Sequence, residues 1–74
     1  MANKIVETGL KKMTTQSKQS LKKWSEDLKS WQDVGDTVLA SQIKGNISGY
    51  LNALVHMGVI ELDEGVELYA YYTR

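Results

Sequence analysis

The sequence predicts a mostly helical α+β domain, three helices followed by a C-terminal two-stranded β-hairpin. Three observations carry that expectation. Leu21, Trp24, Leu28 and Trp31 recur at steps of three, four and three, which aligns them along one core-facing helical stripe. Ile47, Leu51, Leu54 and Val55 repeat the pattern and stop at Gly58, a residue suited to the left-handed position after a helix. Beyond it, Val66, Leu68, Ala70 and Tyr72 alternate with Glu67, Tyr69 and Tyr71, the period of a half-buried strand.

The elements follow in order. Residues 1–16 place Ile5, Val6, Leu10 and Met13 at helical spacing, but Gly9 and the Thr14-Thr15 pair weaken a long helix, so a short helix or arm is expected. The domain proper is expected over 17–74, starting with the helix that carries the Leu21 to Trp31 stripe. Lys11, Lys18, Lys22 and Lys29 would lie on a second stripe of the same helical surface, with a solvated flank as the plain reading. Gly35 and Asp36 close the connector, and Asp36 is a suitable N-cap for a short second helix bearing Val38, Leu39 and Ile43. Lys44-Gly45 is expected to break that helix, and Asn46 or Ser48 to start the third, over 46–57. Val59 to Leu62, the turn Asp63-Glu64-Gly65 and the run from Val66 to Tyr72 read as the hairpin.

Seventy-four residues make one domain at most, with a core that leaves little stability to spare. There are no cysteines and no prolines, and no apolar run approaches the roughly 18–20 residues needed to span a bilayer. A soluble, cytoplasmic chain with no membrane partner and no secretory leader is expected. The zero net charge is unevenly laid out: residues 1–30 carry a surplus of four positive charges, and residues 31–74 a surplus of four negative ones. Such asymmetry suggests a polar partner or self-association. One histidine, no cysteine and no glycine-rich phosphate loop argue against an enzyme, against a metal site and against any cofactor.

Leu39-Ala40, Ile47-Ser48, Leu51, Leu54 and Gly58-Val59-Ile60, in the order helix, helix, turn, helix, hairpin, resemble the winged helix-turn-helix family. The likeness is to small prokaryotic and phage regulators and covers about Ser17 to Thr73. It implies a three-helix winged fold and a DNA-binding transcriptional regulator with 46–57 as the recognition helix. On that reading double-stranded DNA would meet Asn46, Ser48, Gly49, Asn52 and His56. There asparagine can pair with adenine, and serine and backbone amides can hold phosphate, while Lys44, Lys18 and Lys22 would neutralise phosphates. A homodimer is expected, with Ile5, Val6, Leu10 and Met13 as its surface.

The sequence departs from that family at two points. The turn Lys44-Gly45 is shorter than usual, and the wing tip Asp63-Glu64-Gly65 is acidic where DNA-binding members carry cations. Helix 46–57 itself holds no lysine or arginine, although phosphate neutralisation supplies most non-specific affinity. These departures support an alternative: a winged-helix protein-interaction module using the acidic wing and helix 46–57, for example a phage or mobile-element protein acting on a host complex.

Overall fold

A computed structural model describes residues 3–74. Four helices follow one another: α1 Lys4–Lys12, α2 Thr15–Asp33, α3 Thr37–His56 and α4 Leu62–Thr73. The first three begin at a residue that supplies what a helix N-terminus lacks, an acceptor for its first free amides. Asn3 accepts from the Ile5 amide at 2.8 Å, Thr14 from Ser17 at 3.1 Å and Asp36 from Leu39 at 3.0 Å. At α4 the Glu64 carboxylate reaches back and accepts from the Glu61 amide at 2.7 Å, one half of a capping box.

Two glycines reverse the chain. Gly35 and Gly58 have φ of 77° and 76°, and the amides that follow them close back on the preceding helix, Asp36 on the Trp31 carbonyl and Val59 on the Leu54 carbonyl, each at 2.9 Å. This is the bond pattern by which a left-handed residue ends a helix and satisfies its last carbonyls. The first reversal folds α3 back along α2, and the second lays α4 against α3. Helix α4 also packs on α1 and touches α2, so it sits among the other three. The core holds Val6 and Met13 from the first segment, Leu21 from α2, Ile47, Leu51 and Leu54 from α3, then Ile60, Leu68 and Tyr72.

The hairpin wing is not there. Among the described residues there is no strand, and the stretch expected to form the turn and second strand is α4. The alternation is equally compatible with a helix, because Gly65, Leu68 and Tyr72 also fall at three and four residues and are all buried, while Val66 and Ala70 turn outward. Asp63-Glu64-Gly65 is therefore the first turn of a helix. Gly65 is there for close approach, since a Cβ on it would lie 2.9 Å from Val55 Cγ2 on α3. The acidic wing expected to meet a partner is replaced by the acidic N-terminal turn of α4, where Asp63 and Glu64 suit the positive end of the helix dipole.

Nor does Lys44-Gly45 break a helix. Helix α3 runs through it for 20 residues, so the expected second and third helices are one and the turn expected between them does not form. An exposed helical glycine costs about 1 kcal/mol relative to alanine, less than the burial of Ile47 and Leu51 on one continuous face contributes. The N-terminal segment, whose residues 1–2 lie outside those described, is part of the same core. Val6 and Met13 are buried and Leu10 is partly so, so most of the stripe expected to form a dimer surface is in the chain's own core, and Ile5 alone of the four is exposed. Lys12 Nζ meets Glu64 Oε1 at 2.9 Å, and Asn3 donates to Glu67 at 2.9 Å.

Candidate functional site

Helix α3 buries one face and presents the other to solvent. Ser41, Gln42, Gly45, Asn46, Ser48, Gly49, Asn52, Ala53 and His56 span that outer side, a surface made largely of small side chains without a cation. A Cβ added at Gly45 or Gly49 would meet nothing within 4 Å, so internal packing does not require either glycine. His56 turns its ring back on its own helix, Nδ1 lying 3.1 Å from the Asn52 carbonyl. That places it in the last turn of α3.

Between α3 and α4 this surface opens into a groove of about 260 Å³, lined by Ser48, Leu51, Asn52 and Val55 on one wall and Leu62, Gly65, Val66 and Tyr69 on the other. Its walls follow from two helical repeats. On α3 the face turns from the buried Leu51 to the exposed Asn52, and on α4 Leu62, Val66 and Tyr69 recur at four and three residues as a second apolar stripe beside the core-facing one. Leu62 is 67% exposed and Val66 61%, and Met57 in the adjoining turn is 68% exposed. None of the described lining residues is charged, while the exposed Glu61 and Asp63 flank Leu62 in the chain.

A second groove, of about 600 Å³, lies between α2 and the end of α4 and is basic. Lys18, Lys22 and Lys29 line it from α2, Tyr71, Tyr72 and Arg74 from the end of α4, with Glu26 the single carboxylate among its described lining residues. The Arg74 guanidinium lies 5.0 Å from the centroid of the Tyr71 ring, a cation–π distance. Tyr71 in turn meets the edge of Tyr72 at a centroid separation of 5.0 Å. Burial, followed by the proximity of Tyr71, pushes the Tyr72 phenol above its ordinary pKa, so it stays a neutral hydroxyl.

The residues expected to act together are thus divided. Ser48 and Asn52 line the apolar groove, and Asn46, Gly49 and His56 lie on the exposed face of α3. Lys18 and Lys22 line the basic groove instead, and Lys44 is half-buried and lines neither. Leu62, Val66, Tyr71 and Arg74 escape a reading of the sequence, because their grouping depends on α4 being helical. Leu62, Val66 and Tyr69 at i, i+4 and i+7 are the available signal.

The polar interior is structural. Tyr50 and Ser17 share a hydrogen bond of 2.6 Å, Ser17 also accepts from Thr14 at 3.0 Å, and Trp24 stands edge-on to Tyr50 at 5.5 Å. Among the described residues no buried side-chain polar atom lacks a partner, and no three His, Cys, Asp or Glu residues converge as metal ligands would. Compared with known protein families, curated proteins and solved structures, the chain matches none.

Proposed function

We propose that the protein is a small helical interaction module that binds an amphipathic helix of another protein along the α3–α4 groove. The observation that carries this reading is the exposure of Leu62 and Val66 on the wall of an uncharged apolar groove. Contiguous exposed apolar surface is unfavourable in water and commonly marks an interaction site. The neighbouring face of α3 supports it further. Gly45, Gly49 and Ala53 recur every four residues, so a second helix can approach the α3 backbone closely, and the fold itself makes no use of the space at either glycine.

Charge selects the partner's chemistry. Glu61 and Asp63 are exposed next to Leu62 in the chain, and none of the described lining residues is cationic. A helix with an apolar stripe and flanking lysines or arginines is complementary to both features. This reading stands ahead of duplex DNA bound by 46–57 because that stretch of α3 carries no lysine or arginine, and Lys18 and Lys22, expected to assist it, line a different groove.

The test is an NMR titration with two designed 14-residue helices that share one leucine stripe, one flanked by lysines and the other by glutamates. Shift changes should centre on Ser48, Asn52, Leu62 and Val66, with the lysine helix binding at least ten times more tightly. Leu62→Asp/Val66→Asp should abolish the shifts and leave the far-ultraviolet circular dichroism unchanged. No perturbation of the groove at millimolar peptide, or equal binding of both helices, refutes the reading.

A further inference from the structure

We infer that the α2–α4 groove binds single-stranded nucleic acid, its lysines tracking the phosphates and the Tyr71–Arg74 pair stacking a base. The described residues that line this groove are all different from those that line the α3–α4 groove. Either activity can therefore fail alone.

Positive charge runs along a line. Lys18, Lys22 and Lys29 are separated by four and seven residues on one helix, and at a rise of 1.5 Å per residue their Cα atoms stand about 6 and 10 Å apart along one side. Ser25 and Glu26 lie between the last two and also line the groove, and Glu26, four residues after Lys22 and three before Lys29, is the one carboxylate on that side of the helix. With Arg74 the groove holds four cations against Glu26 alone among its described lining residues, although the whole chain is neutral. A linear polyanion matches this layout, and neutralising its phosphates releases counterions.

Planar groups from α4 line the same groove. Tyr71 is 39% exposed, and its ring is held in place by its edge contact with Tyr72. The Arg74 guanidinium lies over one face of the ring and offers its own flat, delocalised surface in place of that face. Bases stack on tyrosine rings and on guanidinium planes, and a cationic track with an aromatic platform is the usual equipment for sequence-tolerant single-strand binding. An acidic peptide would be drawn by the same cations but need bring no planar group to the platform. The path is confined on the other side of Tyr71 and Arg74, where Glu7 and Glu67 line the neighbouring α1–α4 groove and repel phosphate.

The experiment is fluorescence anisotropy with a labelled 12-nucleotide mixed-sequence single strand across a sodium chloride series. With three or four phosphates neutralised, log affinity should fall with log salt at a slope of about −2 to −3, roughly 20- to 60-fold between 50 and 200 mM. Lys22→Glu/Lys29→Glu should abolish binding. Both positions are exposed, and an unchanged thermal melt verifies that the fold is kept. Tyr71→Leu, which retains apolar bulk against Tyr72, should weaken binding about tenfold without changing the salt slope.

DNA and RNA versions of the strand should bind within a few-fold of each other. The proposal is overturned by absence of binding at 20 mM salt, by a duplex or an acidic peptide of equal charge binding as tightly, or by binding that survives the double charge reversal.

Discussion

Four glycines in helices provide a sharp test of how closely the helices approach. Alanine at an exposed helical glycine should stabilise by about 1 kcal/mol through lower backbone entropy loss. A methyl group placed on Gly45 or Gly49 would meet nothing within 4 Å, so each alanine should raise the melting temperature by about 4–8 °C for a domain of this size. Gly65 is different. Its methyl would stand 2.9 Å from Val55 Cγ2, about 1 Å inside comfortable carbon contact, and a valine on a helix has essentially one χ1 rotamer with which to retreat. Overpacking of that kind costs about 1–3 kcal/mol. After the propensity gain, Gly65→Ala should be destabilising by about 1 kcal/mol, and its melting point should lie roughly 8–16 °C below that of Gly49→Ala. Gly9→Ala falls on the same side, because its methyl would stand 2.8 Å from Cδ1 of the fully buried Leu68. Thermal melts and urea titrations of the four single variants measure this. If Gly65→Ala stabilises as much as Gly49→Ala, α3 and α4 are not in the contact described.

Further outcomes follow from the same packing. The Glu64 carboxyl is held below the ordinary range, first by the Glu61 amide and then by Lys12, so its contribution is complete above the unfolded pKa of about 4.3 and is lost as pH falls through the lower folded value. The urea midpoint should therefore drop between pH 6 and pH 3 by less in Glu64→Gln than in the parent, and equal drops would count against the pair. Lys12, raised chiefly by its hydrogen bond to Glu64, contributes below the ordinary lysine pKa and loses its effect only as pH rises through the higher folded value, so it should add no change between pH 6 and 9 to the same titration. Tyr50→Phe removes the hydrogen bond to the buried Ser17 and should cost about 1 kcal/mol in urea unfolding; no loss would mean that Ser17 is satisfied without it. Deleting residues 1–13 uncovers Leu68 and removes Lys12 from Glu64, and the remainder should lose its cooperative melt, whereas a retained sharp transition would show α1 to be dispensable.

The parts of the fold legible in the sequence are those written in local chemistry. Asp36 as a cap, Gly58 as a left-handed terminus, and Leu21, Leu28, Ile47, Leu51 and Leu54 as core positions all stand as expected. Trp31 is the exception on its stripe, 38% exposed near the end of α2. The two departures both arise where a local signal supports more than one structure. Gly45 is permissive in a helix as well as in a turn, and what decides between them is the burial of Ile47, a tertiary effect that local chemistry does not carry. The Val66 to Tyr72 stretch fits periods of two and of 3.6, and the pair Glu61 and Glu64, spaced as a capping box, is the feature that distinguishes them.

The candidate surfaces are legible in proportion. Helix periodicity alone places Ser48 and Asn52 on an outward face, as it does the row of Lys18, Lys22 and Lys29. Their opposite walls come from α4, which is brought beside α2 and α3 by tertiary packing. In a hairpin, Leu62 and Val66 fall on opposite sides of a turn, and Tyr71 and Arg74 have no reason to meet the lysines.

The contacts between α1 and α4 join residues far apart in the chain, 64 positions for Asn3 and Glu67 and 52 for Lys12 and Glu64. Helical domains usually fold fast because their contacts are local, and closures of this span slow the search for the native arrangement. The α2–α3 hairpin can assemble from near neighbours, whereas α1 must wait for α4. The same separation governs the return path: when α1 lifts away from α4, Leu68 loses the cover of Gly9, and local opening of that kind exposes core before the α2–α3 pair comes apart.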